Sequence, residues 1–304
     1  MDTSVLLQQN LPPIPSISNI GYRTTIKKRN ILVMKKLLTT FALASSCLLF
    51  SGEWKNISYY GKFYPVSGNK QAVTRYCKLD IKTPETKNFP TLVWLHGGGL
   101  KWGDKFFPQE INTNKIAIVA VNYRLAGKTV SHPDYIYDAA AAVSWVLDNI
   151  KKYGGDPKKV YISGHSAGGY LSAMIALDKK YLKTFGHSPK ELAAVYPVSG
   201  QMTTHFQILA ERRQKDPAVK DLAVDEYAPI YHASKEAPPM IFFCGDPQRD
   251  IASRVEENQL IYSRMKRIYK HKDIKFISIP ETSHGTCLMP SMAIINDTIL
   301  RLNK

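Results

Sequence analysis

Six short apolar runs set the terms for any fold this chain can adopt. They lie at Thr91 to Leu95, Ile116 to Tyr123, Val160 to Ser163, Leu192 to Val198, Met240 to Cys244 and Ile274 to Ile279. Each is nearly continuous in hydrophobicity instead of alternating, the pattern of strands covered on both faces, as in a parallel sheet. Helical patterns separate several of them. Ile136, Ala140, Val143, Leu147 and Ile150 recur at spacings of four and three and mark one apolar helix face that ends before Gly154-Gly155. A second helix is expected just after Ser166, carrying Leu171, Met174 and Ile175. Ser253 and Glu256 read as a capping box for a helix running toward Tyr269, and Ser291 to Leu300 as a last helix against the sheet. Strands alternating with helices give an α/β fold with an open, doubly wound, mostly parallel sheet. Ahead of it, alternation and β-branched content suggest an antiparallel pair at about Ile57 to Tyr64 and Ala72 to Ile81.

A chain of 304 residues, 44% of them hydrophobic, is long enough for one sizeable α/β core. It carries no internal repeat or low-complexity block, which excludes a solenoid or a disordered chain. The first fifty residues differ in kind. From Met34, Lys35 and Lys36 precede an apolar run from Leu37 to Phe50, followed by Ser51 and Gly52, the pattern of a secretory signal peptide. We therefore expect residues 1–33 to be a non-native or untranslated upstream extension, 34–52 a signal peptide, and 53–304 the folded domain of an exported protein. A membrane anchor is the alternative, although this run is short against the roughly 20 residues a span needs. Cys47, after Ala44-Ser45-Ser46, is a further alternative as a lipid attachment point.

From Glu53 onward 35 Lys and Arg face 24 Asp and Glu, so a net charge of +11 belongs to the body of the chain. Such a field can hold a protein near anionic polymers or lipid. No zinc-finger spacing or basic recognition helix accompanies it, and we expect no nucleic-acid partner; Arg264-Met265-Lys266-Arg267 reads as the solvated side of a helix. Beyond Cys47 only Cys77, Cys244 and Cys287 remain, which implies no disulfide framework, though one bridge stays open. Neither a Cys-Cys-His spacing nor HExxH is present, so no metal site is expected.

The segment Gly164-His165-Ser166-Ala167-Gly168 carries the chemistry. It falls between the strand pattern Lys159 to Ser163 and a helix, where a tight strand-to-helix elbow projects a serine hydroxyl. A second element, His96-Gly97-Gly98-Gly99, directly follows the strand Thr91 to Leu95. Its glycines let backbone N–H groups approach a ligand, and Gly98 and Gly99, with Ala167, are candidates to cradle an oxyanion. His96 reads as a brace for this loop. A serine hydroxyl needs a base, and for the order Ser, acid, His the base follows a late strand; His284, in Glu281-Thr282-Ser283-His284-Gly285, meets that requirement. His165 is expected to be aimed away by the elbow, and His271 to be exposed. The acid should follow Met240 to Cys244, where Asp246 and Asp250 are both available. Asp250 has the longer reach and is favoured, Asp246 is the alternative that would instead fasten the loop through backbone N–H groups, and Glu256 and Glu281 stay open behind them. Between Ser199 and Pro239 lies a polar interruption, read as a small cap-like excursion at about 199–239 that shapes a pocket.

With these residues the chain resembles the alpha/beta-hydrolase superfamily, and within it the HGGG-type carboxylesterases of the BD-FAE group, related to bacterial feruloyl and acetyl-xylan esterases and to hormone-sensitive-lipase-like enzymes. The matching stretches are His96 to Leu100, Val121-Asn122-Tyr123-Arg124-Leu125, Gly154-Gly155-Asp156-Pro157, Gly164 to Gly169 and His284-Gly285, spanning about 73 to 300. The resemblance implies Ser166 as nucleophile, His284 as general base, and Gly98, Gly99 and Ala167 as the oxyanion hole, with Tyr123 and Arg124 structural. Gln248 stands where many members place the acid, whereas Arg254, Glu257 and Asn258 match a subgroup whose acid falls at Asp250; Asp246-Pro247 keeps the alternative alive. A serine carboxylic-ester hydrolase acting on a short-acyl ester or an esterified carbohydrate, with no cofactor and no obligate protein partner, is what the resemblance implies. A serine peptidase of the same fold and a catalytically silent binding protein are the competing readings, and the oligomeric state is left open.

Overall fold

The computed structural model describes residues 51–61 and 69–304. The expectations placed on residues 1–50, including Cys47, and on Tyr64 lie outside the described residues. In chain order the elements are β1 (Glu53–Ser58), α1 (Lys70–Tyr76), β2 (Lys78–Lys82), β3 (Phe89–Leu95), β4 (Ala117–Val121), α2 (Asp134–Asn149), β5 (Gly155–His165), α3 (Ala167–Leu177) and α4 (Lys179–Lys183). Then come β6 (Ala194–Val198), α5 (Phe206–Arg213), β7 (Met240–Cys244), α6 (Arg254–Ser263), β8 (Ile274–Ser278) and α7 (Leu288–Leu302). The strands form one sheet in the order β1-β2-β4-β3-β5-β6-β7-β8. β2 is antiparallel to β1 and β4, and every pairing from β4 to β8 is parallel.

Each of the six apolar runs is a strand of this sheet, and burial on both faces explains why the inner five do not alternate, whereas β8, at the edge, buries only Ile274 fully and exposes Lys275. Leu92 and Trp94 join Tyr161, Tyr196 and Phe243 beneath Met292, Ile295 and Ile299 of α7. Val93 and Leu95 point the other way, into the layer formed with Ile162, Val195, α2 and α3. All four of these β3 side chains are fully buried, each contributing about 1.5–3 kcal/mol of hydrophobic stabilisation. The parallel strands open at one common carboxyl-terminal edge, where α/β sheets place their ligands.

Several sequence expectations need correction. The N-terminal antiparallel pair exists, but as β1 against β2, and residues 72–76 of the expected second strand are helical, within α1. Asn69 caps that helix, its side chain accepting from the Ala72 N–H at 3.1 Å, and Val73 is buried; a local cap outweighs the weak β pattern. The Ser253–Glu256 capping box does not form. Ser253 has φ 65° and makes no side-chain cap bond, and it is the neighbouring Glu257 whose carboxylate is engaged, with the backbone of Met202 and Thr203. The last helix begins earlier than expected, at Leu288. In the polar stretch 199–239 there is no strand; it holds α5 and a short 3-10 turn at Pro229–His232, while Gln201, Thr203, Thr204, His205 and Gln207 are buried. Cys77, Cys244 and Cys287 are free.

One buried charged cluster ties the N-terminal segment to the sheet. The Asp138 carboxylate on α2 accepts from Arg124 Nε at 2.7 Å, Arg124 Nη2 at 2.9 Å, the Arg124 N–H at 2.9 Å and Tyr60 Oη at 2.6 Å. Both side chains of the ion pair are wholly inaccessible to solvent, so removal of the acid strips a buried guanidinium of its main partner and leaves it the more distant Asp134 carboxylate, 3.6 Å from Nη1. We expect Asp138→Ala to destabilise the fold by about 3–5 kcal/mol in denaturant unfolding; a loss under about 1 kcal/mol, the range of exposed pairs, would contradict this role.

Candidate active site

At the end of β5 the chain turns sharply into α3, and Ser166 occupies the turn with φ 57° and ψ −115°, a conformation L-residues seldom adopt. Its N–H donates to the Val198 carbonyl at 2.8 Å and its own carbonyl accepts from Tyr170 at 2.9 Å. The turn closes because its glycines lack side chains. A Cβ on Gly164 would lie 2.4 Å from the Gly168 carbonyl carbon, and one on Gly168 would lie 2.0 Å from the Leu95 carbonyl oxygen.

Contact with the end of β3 brings the triple-glycine loop to the elbow. A Cβ on Gly97 would sit 3.4 Å from Ser166 Cβ. Gly98 has φ 109°, and the loop is folded back by Lys101 and Trp102 donating to the Gly98 carbonyl at 3.0 and 2.9 Å. Among the described residues the N–H groups of Gly98 and Gly99 carry no hydrogen bond. The Ala167 N–H, at the first position of α3, has no intrahelical acceptor. His96 stacks on Tyr123 at 4.4 Å, and Tyr123 Oη donates to the His96 carbonyl at 2.8 Å. Burial lowers the His96 imidazole below its usual range; it braces the loop.

His284 lies in the loop after β8, with Nδ1 2.8 Å from Asp250 Oδ1. The buried Asp250 carboxylate also accepts from the Gly245 N–H at 2.8 Å, the Ile251 N–H at 2.7 Å and Ser199 Oγ at 2.8 and 2.9 Å. Burial raises a carboxyl's pKa, but the bonds from His284, Gly245, Ser199 and Ile251 prevail and hold Asp250 at about 2. A proton on Nδ1 directed at this carboxylate leaves Nε2 of His284 as a free base. Asp246 is turned elsewhere: it is half-buried, and its oxygens accept from the Gln248 and Glu281 N–H groups at 2.9 and 3.0 Å. It fastens the loop. Glu256 and Glu281 are exposed.

Two histidines differ from expectation. The His165 side chain is not turned away from the site but donates from Nε2 to the His284 carbonyl at 2.7 Å, with the rings 4.7 Å apart. Burial first, and the neighbouring His284 second, push it down to about 4, so it is a neutral hydrogen-bond donor holding the His284 loop. His271 is buried, not exposed, with Nε2 donating to the Ala237 carbonyl at 2.9 Å and Nδ1 accepting from the Asp273 N–H at 3.1 Å. No sequence pattern singles out Ser199, whose hydroxyl lies 2.9 Å from His284 Nδ1 as well as against Asp250. From α5, Phe206 reaches the glycine loop: a Cβ on Gly99 would lie 3.0 Å from its ring, which is 45% exposed. Trp102, beyond the loop, is 73% exposed.

Ser166, His284 with Asp250, and three N–H donors thus meet at one edge of the sheet. Ser166 Oγ makes no hydrogen bond among the described residues; in sites of this type the nucleophile–base bond commonly closes only with substrate bound. The arrangement can support attack by a serine hydroxyl, with a histidine as base and backbone N–H groups facing the developing charge. No group of metal-ligating side chains occurs among the described residues.

Residues 79–264 match the BD-FAE family. Among its relatives, the chain is 28% identical over 257 residues to a probable carboxylic ester hydrolase, LipM, of Mycobacterium tuberculosis, covering 78% of this chain and 57% of LipM. It therefore spans about half the length of that relative, and similarly 57% of the esterase LipC from the same organism. Among solved structures it is similar to a truncated carbohydrate esterase from gut microbiota, with a TM-score of 0.63 and 19% identity over 83% of this chain and 96% of the other. A thermophilic esterase of Thermogutta terrifontis gives a TM-score of 0.58 and 20% identity over 74% and 88% of the two chains.

Asp250 also couples the site to pH. Its folded pKa of about 2 lies below the roughly 3.9 of an unfolded Asp, so its stabilising contribution is complete above that unfolded value and is lost as pH falls through about 2. The difference in unfolding free energy between the parent and Asp250→Asn should therefore shrink steadily from about pH 4 downward. A difference that stays constant across this window would show that Asp250 is not held ionised by its partners.

Proposed function

The chain belongs to the BD-FAE family of the α/β-hydrolase superfamily, and from that premise we propose that it is a serine esterase with Ser166 as nucleophile, His284 as general base and Asp250 as the orienting acid. The observation that carries this reading is a single peptide unit. The Val198 carbonyl accepts the Ser166 N–H at 2.8 Å, while the adjoining Ser199 side chain touches both Asp250 and His284. Nucleophile and base pair are thereby referenced to the same strand end.

In the proposed reaction Ser166 Oγ attacks the ester carbonyl as His284 Nε2 accepts its proton. The tetrahedral oxyanion forms against the N–H groups of Gly98, Gly99 and Ala167, each donor supplying about 3 kcal/mol of transition-state stabilisation. Asp250 stabilises the imidazolium through Nδ1, and the imidazolium delivers its proton to the departing alcohol oxygen. Water, deprotonated by the same nitrogen, then attacks the acyl carbon, and the imidazolium returns that proton to Ser166 Oγ as the acid is released. Residues of the chain account for every proton in this cycle.

A short acyl group is the substrate feature we favour, because the Phe206 ring stands against Gly99 and narrows the space beside the oxyanion donors. Trp102, exposed beyond the same loop, supplies a flat surface for a sugar or aryl alcohol portion, and the likeness to a carbohydrate esterase supports an esterified carbohydrate. The excursion at 199–239, which carries Phe206, acts on this reading as a cap-like wall of the pocket. The leader pattern of residues 34–52 supports export.

The test is a screen of p-nitrophenyl acetate, butyrate and octanoate together with acetylated xylan and an aminoacyl anilide. We expect turnover to be highest on acetate, with little on the anilide, and Ser166→Ala to lose it by on the order of 10⁶-fold while keeping its circular dichroism spectrum. Undiminished hydrolysis by Ser166→Ala would overturn the reading. Phe206→Ala should raise the octanoate-to-acetate ratio of kcat/KM by about ten-fold; an unchanged ratio would remove Phe206 from the acyl pocket.

A further inference from the structure

Ser199 follows β6 with its side chain fully buried and φ 45°. Glycine takes this left-handed conformation at no steric cost, whereas serine takes it with strain. The serine contributes one group that glycine would lack. Its Oγ lies 2.9 Å from Asp250 Oδ1, 2.8 Å from Asp250 Oδ2 and 2.9 Å from His284 Nδ1. A hydroxyl has one proton to give. With that proton directed to the carboxylate, a lone pair faces Nδ1–H, and the imidazole proton is shared between Asp250 and Ser199.

The backbone around Ser199 is held from one face of α6. The Ser199 N–H donates to the Phe243 carbonyl at 2.7 Å. The buried Arg254 guanidinium donates to the Ser199 carbonyl at 2.9 Å, and Asn258 Nδ2 to the Gly200 carbonyl at 2.8 Å. Glu257 accepts from the Met202 and Thr203 N–H groups at 2.7 and 3.2 Å. Arg254, Glu257 and Asn258 stand three and four residues apart, the spacing that stacks side chains along a helix. Their side chains bond a single loop, and its first residue is the one whose hydroxyl meets the acid and the base.

We propose that Ser199 is a positioning residue for the Asp250–His284 pair, fixing the carboxylate and the imidazole in register through its hydroxyl, and that Arg254, Glu257 and Asn258 form the clamp that keeps it there. This rests on the esterase reading above, in which Asp250 and His284 serve Ser166. Ser199 touches no reacting atom; it acts through its two neighbours.

Substitution by glycine separates this role from that of a mere turn residue, because glycine suits the backbone while removing the hydroxymethyl group, and alanine removes the hydroxyl alone. In the full chain, Ser199→Gly should unfold within a few degrees of the parent temperature, relief of the φ 45° strain offsetting the lost bond to Asp250, lose kcat by about 10- to 100-fold, the range of one hydrogen bond to a charged group, and keep KM within about two-fold, since the hydroxyl is remote from ground-state contacts. Ser199→Ala should show the same loss. In an Asp250→Asn background, Ser199→Gly should change kcat by less than about three-fold, because the two residues act as a unit. Parental kcat in Ser199→Gly, or an equal loss in the two backgrounds, would overturn the proposal. Ser166→Ala measured alongside keeps the two claims apart: turnover there defeats the nucleophile assignment, whereas a dead Ser166→Ala with a fully active Ser199→Gly defeats only the role of Ser199.

Discussion

Backbone touches backbone where Gly168 meets the end of β3, and the site is built around that contact. A methyl group on Gly168 would fall 2.0 Å from the Leu95 carbonyl oxygen, and one on Gly164 2.4 Å from Gly168 itself. No rotamer change relieves such an overlap, because both partners are main chain. The approach pulls the first turn of α3 down onto the sheet, drives Ser166 into its positive-φ turn, and leaves the His96 to Gly99 loop no path but one alongside it. The proposed oxyanion donors and the proposed nucleophile are neighbours for this reason, although some seventy residues separate them in the chain.

Parallel register carries the same order across the sheet. Leu95 pairs with Gly164, His165 with Val198, Val198 with Phe243 and Cys244 with Ser278. Each pairing sets one strand end beside the next, so loops far apart in sequence emerge at one edge. Asp250 and His284 leave adjacent strands, β7 and β8, and meet at 2.8 Å. The acid is kept charged by donors from four directions, and His165, neutral because it is buried, steadies the histidine loop from beneath. Polar groups in such a low-dielectric setting hold their geometry only when each is satisfied. Asp250 is satisfied by its neighbours, and Asp246 by the turn it closes.

The inner apolar runs were legible because a strand covered on both faces must be apolar throughout, and the number and spacing of all six dictated a parallel sheet, with β8 at its edge only partly covered. Gly164 to Gly168 and His96 to Gly99 were legible because close backbone approach demands glycine at fixed offsets. The choice between Asp246 and Asp250 was not, since both follow β7 and differ only in which way the turn after Gly245 directs them. Ser199 was silent for a related reason: a serine at a strand end is common, and its positive φ and its partners are products of tertiary packing. His165 and His271 were misplaced because adjacency in sequence says little about where an imidazole finds an acceptor. Helix α1 was hidden by a β-branched pattern that Asn69 overrides with a local cap, and Ser253 resembled a cap by composition while its backbone took a left-handed turn.

The central claim is that acyl transfer passes through Ser166, and covalent trapping tests it most directly. A fluorophosphonate reacts only with a serine hydroxyl activated by a neighbouring base. Titrated against the full chain, it should add one equivalent of phosphonate, located by peptide mapping on Ser166, with esterase activity falling in proportion and with no labelling in His284→Ala. Label on another residue, or ester turnover that survives full occupancy of Ser166, would contradict the account.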